Sequence, residues 1–321
     1  VTRRSAVPPP VTAVLDASSR WLPARLGKVE ETLREQSRGH GELLAEAAGA
    51  TLAAGGKRLR PLLVLLCAGA AGGDEAVRAA AAIELVHMAT LVHDDVLDDA
   101  PLRRGRPTIS ASAGRGRALA VGDLLFARAF ALLAEHGDRR SVSLLAEASV
   151  ALARGELAQR HDAFDTRISE RRYLDRCRLK TAKLFECACR LGRDADALGT
   201  FGAEIGLAFQ LLDDVLDVSG PPERTGKARG TDLLDGTVTL PLIVAAKTDS
   251  EIREADLRSL DPAAAEALCD RIARTGALDQ VRTRALTMVT DAKQKLNEAK
   301  FDAEQRHLLE LVAAGVAQRY A

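Results

Sequence analysis

The chain has 321 residues and carries 45 lysines and arginines against 45 aspartates and glutamates, so its formal net charge is zero. That balance argues against a general binder of nucleic acid or anionic membrane, and no uninterrupted apolar run reaches the roughly 18 residues of a membrane span. The length suits one large domain or two smaller ones, and no break in composition favours dividing it.

In chain order, Val1-Thr2-Arg3-Arg4-Ser5 leads into Pro8-Pro9-Pro10 without the apolar core of a signal peptide. Residues 1–20 are expected to form a flexible arm and residues 21–321 one domain. Gly55-Gly56-Lys57-Arg58-Leu59-Arg60-Pro61 reads as a glycine turn that brings three cations to the start of a helix. Pro61 suits the first helical turn, and the helix N-terminus adds partial positive charge. Leu62, Leu65, Leu66 and Gly69 continue at helical spacing, as do Ala81, Leu85, Met88 and Val92 after a break at Gly72-Gly73. This helix runs into Asp94-Asp95-Val96-Leu97-Asp98, and Arg103-Arg104-Gly105-Arg106-Pro107-Thr108 follows with further cations.

Later breaks fall at Gly137-Asp138, Gly192 and Ser219-Gly220-Pro221-Pro222, while Asp261-Pro262 reads as an N-cap with proline at the first helical position. Alternation of β-branched residues is nearly absent. The pattern predicts an all-α protein, a bundle of about ten or more helices around a central cavity. Five cysteines, Cys67, Cys177, Cys187, Cys189 and Cys269, form neither a metal nor a disulfide framework, and they read as reduced packing residues in the cytoplasm.

The pentapeptide Asp-Asp-Val-Leu-Asp stands twice in the chain, at Asp94–Asp98 and at Asp213–Asp217, each time behind an apolar stretch. On a helix the first and fifth residues fall one turn apart on one face, roughly 6 Å along the axis. Carboxylates so placed repel one another, by about 4 kcal/mol for charges about 4 Å apart at an effective dielectric of about 20. Cations relieve that repulsion. Oxygen ligands without interleaved Cys or His favour magnesium, or manganese, over zinc. The expected metal ligands are Asp94, Asp95, Asp98, Asp213, Asp214 and Asp217, lining two walls of one cavity. Magnesium held by few carboxylates bridges to substrate phosphates. Arg103, Arg104, Lys57, Arg60, Lys180-Thr181 and Lys227 are the cations available to hold a second diphosphate.

These motifs together resemble the trans-isoprenyl diphosphate synthases of the polyprenyl synthetase family. The resemblance runs from about residue 40 to the C-terminus in family order, through the segments above and then Gly155-Glu156, Lys180-Thr181-Ala182, Phe209-Gln210-Leu211-Leu212-Asp213-Asp214, Gly226-Lys227, Gly230-Thr231-Asp232-Leu233 and Thr239-Leu240-Pro241-Leu242. One departure is Thr237, where the family's last block carries lysine after Gly236, and somewhat weaker allylic substrate binding is expected from it.

The resemblance implies condensation of an allylic diphosphate with isopentenyl diphosphate. Asp94, Asp98, Asp213, Lys180 and Arg103 would carry the ionisation. Arg103, Lys180, Thr181, Gln210 and Lys227 would hold the allylic diphosphate, and Lys57, Arg60, His87 and Arg104 isopentenyl diphosphate. The released diphosphate would take the final proton. His93 reads as a packing or orienting residue and His161-Asp162 as a solvated helix face.

Ala89 and Thr90, with Val86 deeper, line the path of the growing chain, and none is aromatic. Short-chain members of the family often place Phe or Tyr at the positions of Ala89 and Thr90. Small residues there imply a long product of about six to ten isoprene units, and the stretch from His87 to Asp95 resembles the large subunit of heptaprenyl diphosphate synthase. Phe126 and Phe130 read equally as a tunnel floor or as plain core. The resemblance further implies a homodimer, with a small partner subunit as the alternative. A shorter-chain synthase, making a geranylgeranyl or farnesylgeranyl diphosphate, is the alternative within the family. A class I terpene cyclase fits poorly, because its second metal motif differs and aromatics make up only 3% of this chain. A non-catalytic subunit would lack some of the six aspartates.

Overall fold

The computed structural model of the chain describes residues 9–38, 41–53, 56, 58–103, 105–135, 137–220, 229–297 and 301–318. These are almost wholly helical, and the one described pair of strands is the two-residue antiparallel match of Leu102–Arg103 with Arg106–Pro107. The all-α expectation therefore holds. The described residues fall into two compact units, one drawn from 1–149, 187–199 and 299–315, the other from 150–186, 200–298 and 316–321. No change of composition announces this division, because chain segments interleave between the units.

In the first unit the Gly73–Leu97 helix packs along Arg115–Ala134 and also against Leu59–Ala68 and Leu22–Gln36. Every residue from Pro61 to Cys67 is buried, so the Leu59–Ala68 helix is apolar all round rather than striped, the mark of an interior helix. Ala79, Ala80, Ala81 and Ala82 are buried in succession, so this part of Gly73–Leu97 is slender and enclosed all round. Among the described residues this helix alone has the length and hydropathy of a bilayer span, yet 72% of its most apolar stretch is buried inside the protein. It is a core helix.

The arm expected at residues 1–20 is partly structured: a helix runs from Pro9 to Ala17, and Val14 and Ser18 are buried. Proline lacks an amide hydrogen that a first helical turn leaves unpaired in any case, so the helix loses nothing by starting there. Residues 1–8 lie outside the described residues.

The second unit is built around Leu240–Ala245, which packs on Ala277–Leu296 and on Glu170–Cys177, with Pro262–Arg274 alongside. Asp261 caps Pro262–Arg274 by accepting from the amide of Ala264 at 2.8 Å, as its sequence context predicts. A helix of this unit ends at Ser219, and one ends at Gly192 in the first unit, where breaks are predicted.

Candidate active site

The first aspartate cluster lies where the Gly73–Leu97 helix ends. The amide of Asp98 donates to the carbonyl of Asp94 at 2.8 Å, which keeps the two residues one turn apart although Asp98 is already the C-cap. Asp94 is half-buried and Asp98 exposed, whereas Asp95 is only 6% exposed. Asp95 accepts a hydrogen bond from Nε of Arg103 at 2.7 Å, so the Leu102–Arg103 strand is tied to the helix end.

The second cluster, on the Asp196–Ser219 helix, repeats the arrangement. Asp213 and Asp217 are half-buried and Asp214 is 2% exposed. The hydroxyl of Tyr173 donates to Oδ2 of Asp214, and Nε2 of Gln210 donates to Oδ1 at 2.8 Å. Burial, reinforced by the charge of Asp232, pushes the Asp214 carboxyl up to about 7 against the pull of those two hydrogen bonds. Asp217 is tied by its backbone and side chain: the amide of Gly230 donates to its carbonyl at 3.0 Å and the amide of Asp232 to its Oδ2 at 3.3 Å.

In both pentapeptides the second aspartate thus turns inward while the first and fifth do not. The apolar stripe itself carries this signal. Ala81, Leu85, Met88 and Val92 are all buried, and the next step of that stripe is Asp95; Leu207, Leu211 and Val218 flank Asp214 in the same way.

Lys180 and Thr181 sit in a π turn, Arg178–Ala182, between Glu170–Cys177 and Lys183–Gly192. Such one-turn distortions recur at functional sites. Two glycines hold it from different helices. A Cβ on Gly155 would stand 2.6 Å from the Lys180 amide nitrogen, and one on Gly206 would stand 2.9 Å from the Cα of Ala182. Lys180 pairs with the carboxylate of Glu156, which also accepts from Nε of Arg160 at 2.8 Å. Burial alone would raise the Glu156 carboxyl, but the charges and hydrogen bonds of Lys180 and Arg160 hold it below the usual carboxylate range. Thr181 donates to Oε1 of Gln210 at 2.8 Å.

Of the expected phosphate-binding residues, Lys57, Arg104 and Lys227 lie outside the described residues, and Arg60 and His87 are half-buried. Arg58 requires a correction. It is not a third cation of the glycine turn, because its guanidinium is spent on Glu30 and, at 2.8 Å, on the buried Glu84. Its backbone is left-handed, with φ of 48°. His93 matches its packing role: the ring stacks on Phe126 at 5.8 Å and rests against Gly122, where any Cβ would collide with it. His161 is exposed, but Asp162 is buried and paired with Arg172 at 2.6 Å and Arg176 at 3.7 Å, so the pair is not one solvated face.

Val86 and Ala89 are fully buried, and half-buried Thr90 donates from its hydroxyl to the carbonyl of His87 at 2.8 Å. Gly236, at φ of 72°, turns the chain against the ring of Phe164, and the amide of Thr237 donates to the carbonyl of Asp232 at 2.7 Å. Three residues with a structural claim on the site carry no role in the motif reading: Tyr173, Glu156 and Asp232. Within each unit, among the described residues, no three of His, Cys, Asp or Glu close in as a ready-made metal site. The all-oxygen donor set suits a hard divalent cation, which binds through carboxylates, water and substrate phosphate.

The polyprenyl synthetase family model matches residues 41–269. Component 2 of the heptaprenyl diphosphate synthase of Geobacillus stearothermophilus is 41% identical over 83% of this chain and 87% of its own length. The octaprenyl diphosphate synthase of Haemophilus influenzae is 34% identical over 91% of this chain and 89% of its own length. Among solved structures, the polyprenyl synthase of Caulobacter crescentus, complexed with calcium and isoprenyl diphosphate, is similar with a TM-score of 0.90 and 33% identity, covering 99% of this chain and 100% of that one. The chain belongs to the polyprenyl synthetase family, and it is a prenyltransferase.

Proposed function

We propose that the chain condenses an allylic prenyl diphosphate with isopentenyl diphosphate, repeatedly and head to tail, to make an all-trans polyprenyl diphosphate of about six to ten isoprene units. The observation that carries this reading is the duplicated carboxylate cluster, each copy ending an apolar run with its first and fifth aspartates less buried than its second. The names of the similar heptaprenyl and octaprenyl synthases support the long product. So does the small, buried Ala89. The calcium in the similar Caulobacter structure supports a divalent ion, for which magnesium is the reading here.

Breaking the carbon–oxygen bond of the allylic substrate leaves an allylic cation and a diphosphate anion. Magnesium, when bound, supplies Lewis-acid stabilisation of the charge that grows on the leaving group. Asp94, Asp98 and Asp213 would hold it, with Asp217 supporting them directly or through water. Asp95 and Asp214 act from behind, each fixing its helix end through a hydrogen bond at its inward oxygen. Arg103, Lys180, Thr181, Gln210 and Lys227 hold the allylic diphosphate. Lys57, Arg60, His87 and Arg104 orient isopentenyl diphosphate so that its double bond meets the cation, an entropic contribution.

Incubating the purified chain with magnesium, isopentenyl diphosphate and primers of several lengths, then sizing the products, tests this reading. Products of thirty to fifty carbons support it, and products of twenty or fewer overturn the long-chain assignment. Asp94→Ala and Asp213→Ala are each expected to cut turnover by orders of magnitude with the fold intact, and near-normal turnover in either contradicts the carboxylate roles. The exposed apolar side chains of Val150 and Leu157, seven apart on one helix face, support a homodimer. The name "component 2" on similar synthases supports a small partner subunit as the alternative, revealed by silence of the pure chain and rescue by cell extract. The burial of all five cysteines supports a reducing, cytoplasmic setting.

A further inference from the structure

We infer that Tyr173 is a positioning residue for the second carboxylate cluster, acting on magnesium and diphosphate through Asp214; this rests on the functional reading above. Its hydroxyl donates to Oδ2 of Asp214, and the whole side chain is 1% exposed. Asp214 in turn accepts from Gln210 at 2.8 Å, and Gln210 accepts from Thr181 at 2.8 Å. One unbroken chain of hydrogen bonds thereby joins three elements: the Glu170–Cys177 helix, the π turn that carries Lys180, and the Asp196–Ser219 helix that carries Asp213 and Asp217.

The consequence is rotational. A helix is free to roll by some degrees about its axis unless a directional contact stops it, and apolar packing is not directional. Asp214 stands 100° around the helix from Asp213, so a hydrogen bond that fixes Asp214 also fixes the direction in which Asp213 and Asp217 point. Tyr173 is suited to this task because it is held at both ends. Its ring lies under the guanidinium of Arg176, 5.3 Å from the centroid, and Arg176 itself donates to the carbonyl of Val238 at 2.6 Å. Ser169 caps the helix that carries it, accepting from the amide of Arg172 at 3.2 Å. Tyr173 touches neither substrate nor metal in this scheme. It determines where ligands stand, as outer groups behind metal ligands commonly do, with losses of about 10- to 100-fold when they are removed.

Tyr173→Phe deletes the hydroxyl and keeps the buried ring. Manganese binding in the presence of inorganic pyrophosphate, followed by electron paramagnetic resonance on the full chain, is expected to weaken about 10- to 100-fold. The magnesium concentration for half-maximal turnover should rise in parallel, while KM for isopentenyl diphosphate stays near the parent value. Equal manganese affinity in parent and variant overturns the inference, whether or not turnover falls. A parent that binds no manganese with pyrophosphate overturns the functional reading instead, and this inference with it. Thr181→Val, which cuts the chain of hydrogen bonds at its other end without touching Tyr173, must weaken manganese binding in the same direction; if it does not, the chain is not the means of positioning.

Discussion

A Cβ added to Gly155 would lie 2.6 Å from the backbone nitrogen of Lys180. The contact is with main chain, so no side-chain rotation relieves it, and the π turn itself must move. Gly155→Ala is therefore expected to cost about 1–3 kcal/mol of stability, the usual range for overpacking a close-packed contact. It should also raise KM for the allylic substrate while leaving that for isopentenyl diphosphate unchanged. Urea denaturation and steady-state kinetics check the two halves separately, and a variant with parental allylic KM would show that the notch does not position Lys180.

The ion pair of Glu156 and Lys180 gives a pH dependence of defined sign. Burial raises the Glu156 carboxyl, but Lys180 and Arg160 outweigh it and leave the folded value below the unfolded one near 4.5. A depressed carboxylate contributes stability that is present above the unfolded value and is lost as pH falls through the folded one. Glu156→Gln should consequently melt below the parent at pH 7, with the gap closing as the buffer drops under about pH 4.5. A gap of constant size across that range would assign the destabilisation to packing alone.

Arg58 is predicted to matter for folding rather than for phosphate. Removing one partner of a buried pair strands the other charge, at about 3–5 kcal/mol, and Glu84 is buried. Arg58→Ala should show that loss in urea denaturation, and Arg58→Met with Glu84→Leu should recover most of it. If the double variant is no better than the single one, the pair is not what Arg58 supplies.

Ala89→Phe and Ala89→Tyr are expected to shorten the product by several isoprene units, read by chromatography of the dephosphorylated alcohols. An unchanged product length would remove Ala89 from the path of the growing chain.

Much of this was legible in the residues. The two pentapeptides, the helix breaks at Gly72-Gly73 and Gly192, and the cap at Asp261 are local patterns, set by neighbours within one turn, and they appear in the structure where the spacing puts them. The inward turn of Asp95 and Asp214 was also readable, as the next step of an apolar stripe. What the residues do not announce is pairing at a distance. Tyr173 meets Asp214 41 positions away, and Arg58 meets Glu84 26 positions away. No periodicity links such partners, because only the packed helices bring them together. For the same reason Arg58, next to Lys57 in the glycine-led segment, counted as one of three cations at the helix start and proved to be an anchor.

Ala89 has no exposure to solvent, on a helix that also buries Ala76, Ala79, Ala80, Ala81 and Ala82. Apart from glycine, every replacement there adds bulk. On the proposed function, a ruler made by omission in this way can be recalibrated in one direction only: single mutations at this point would trim the hydrocarbon, and lengthening it would have to come from elsewhere in the wall.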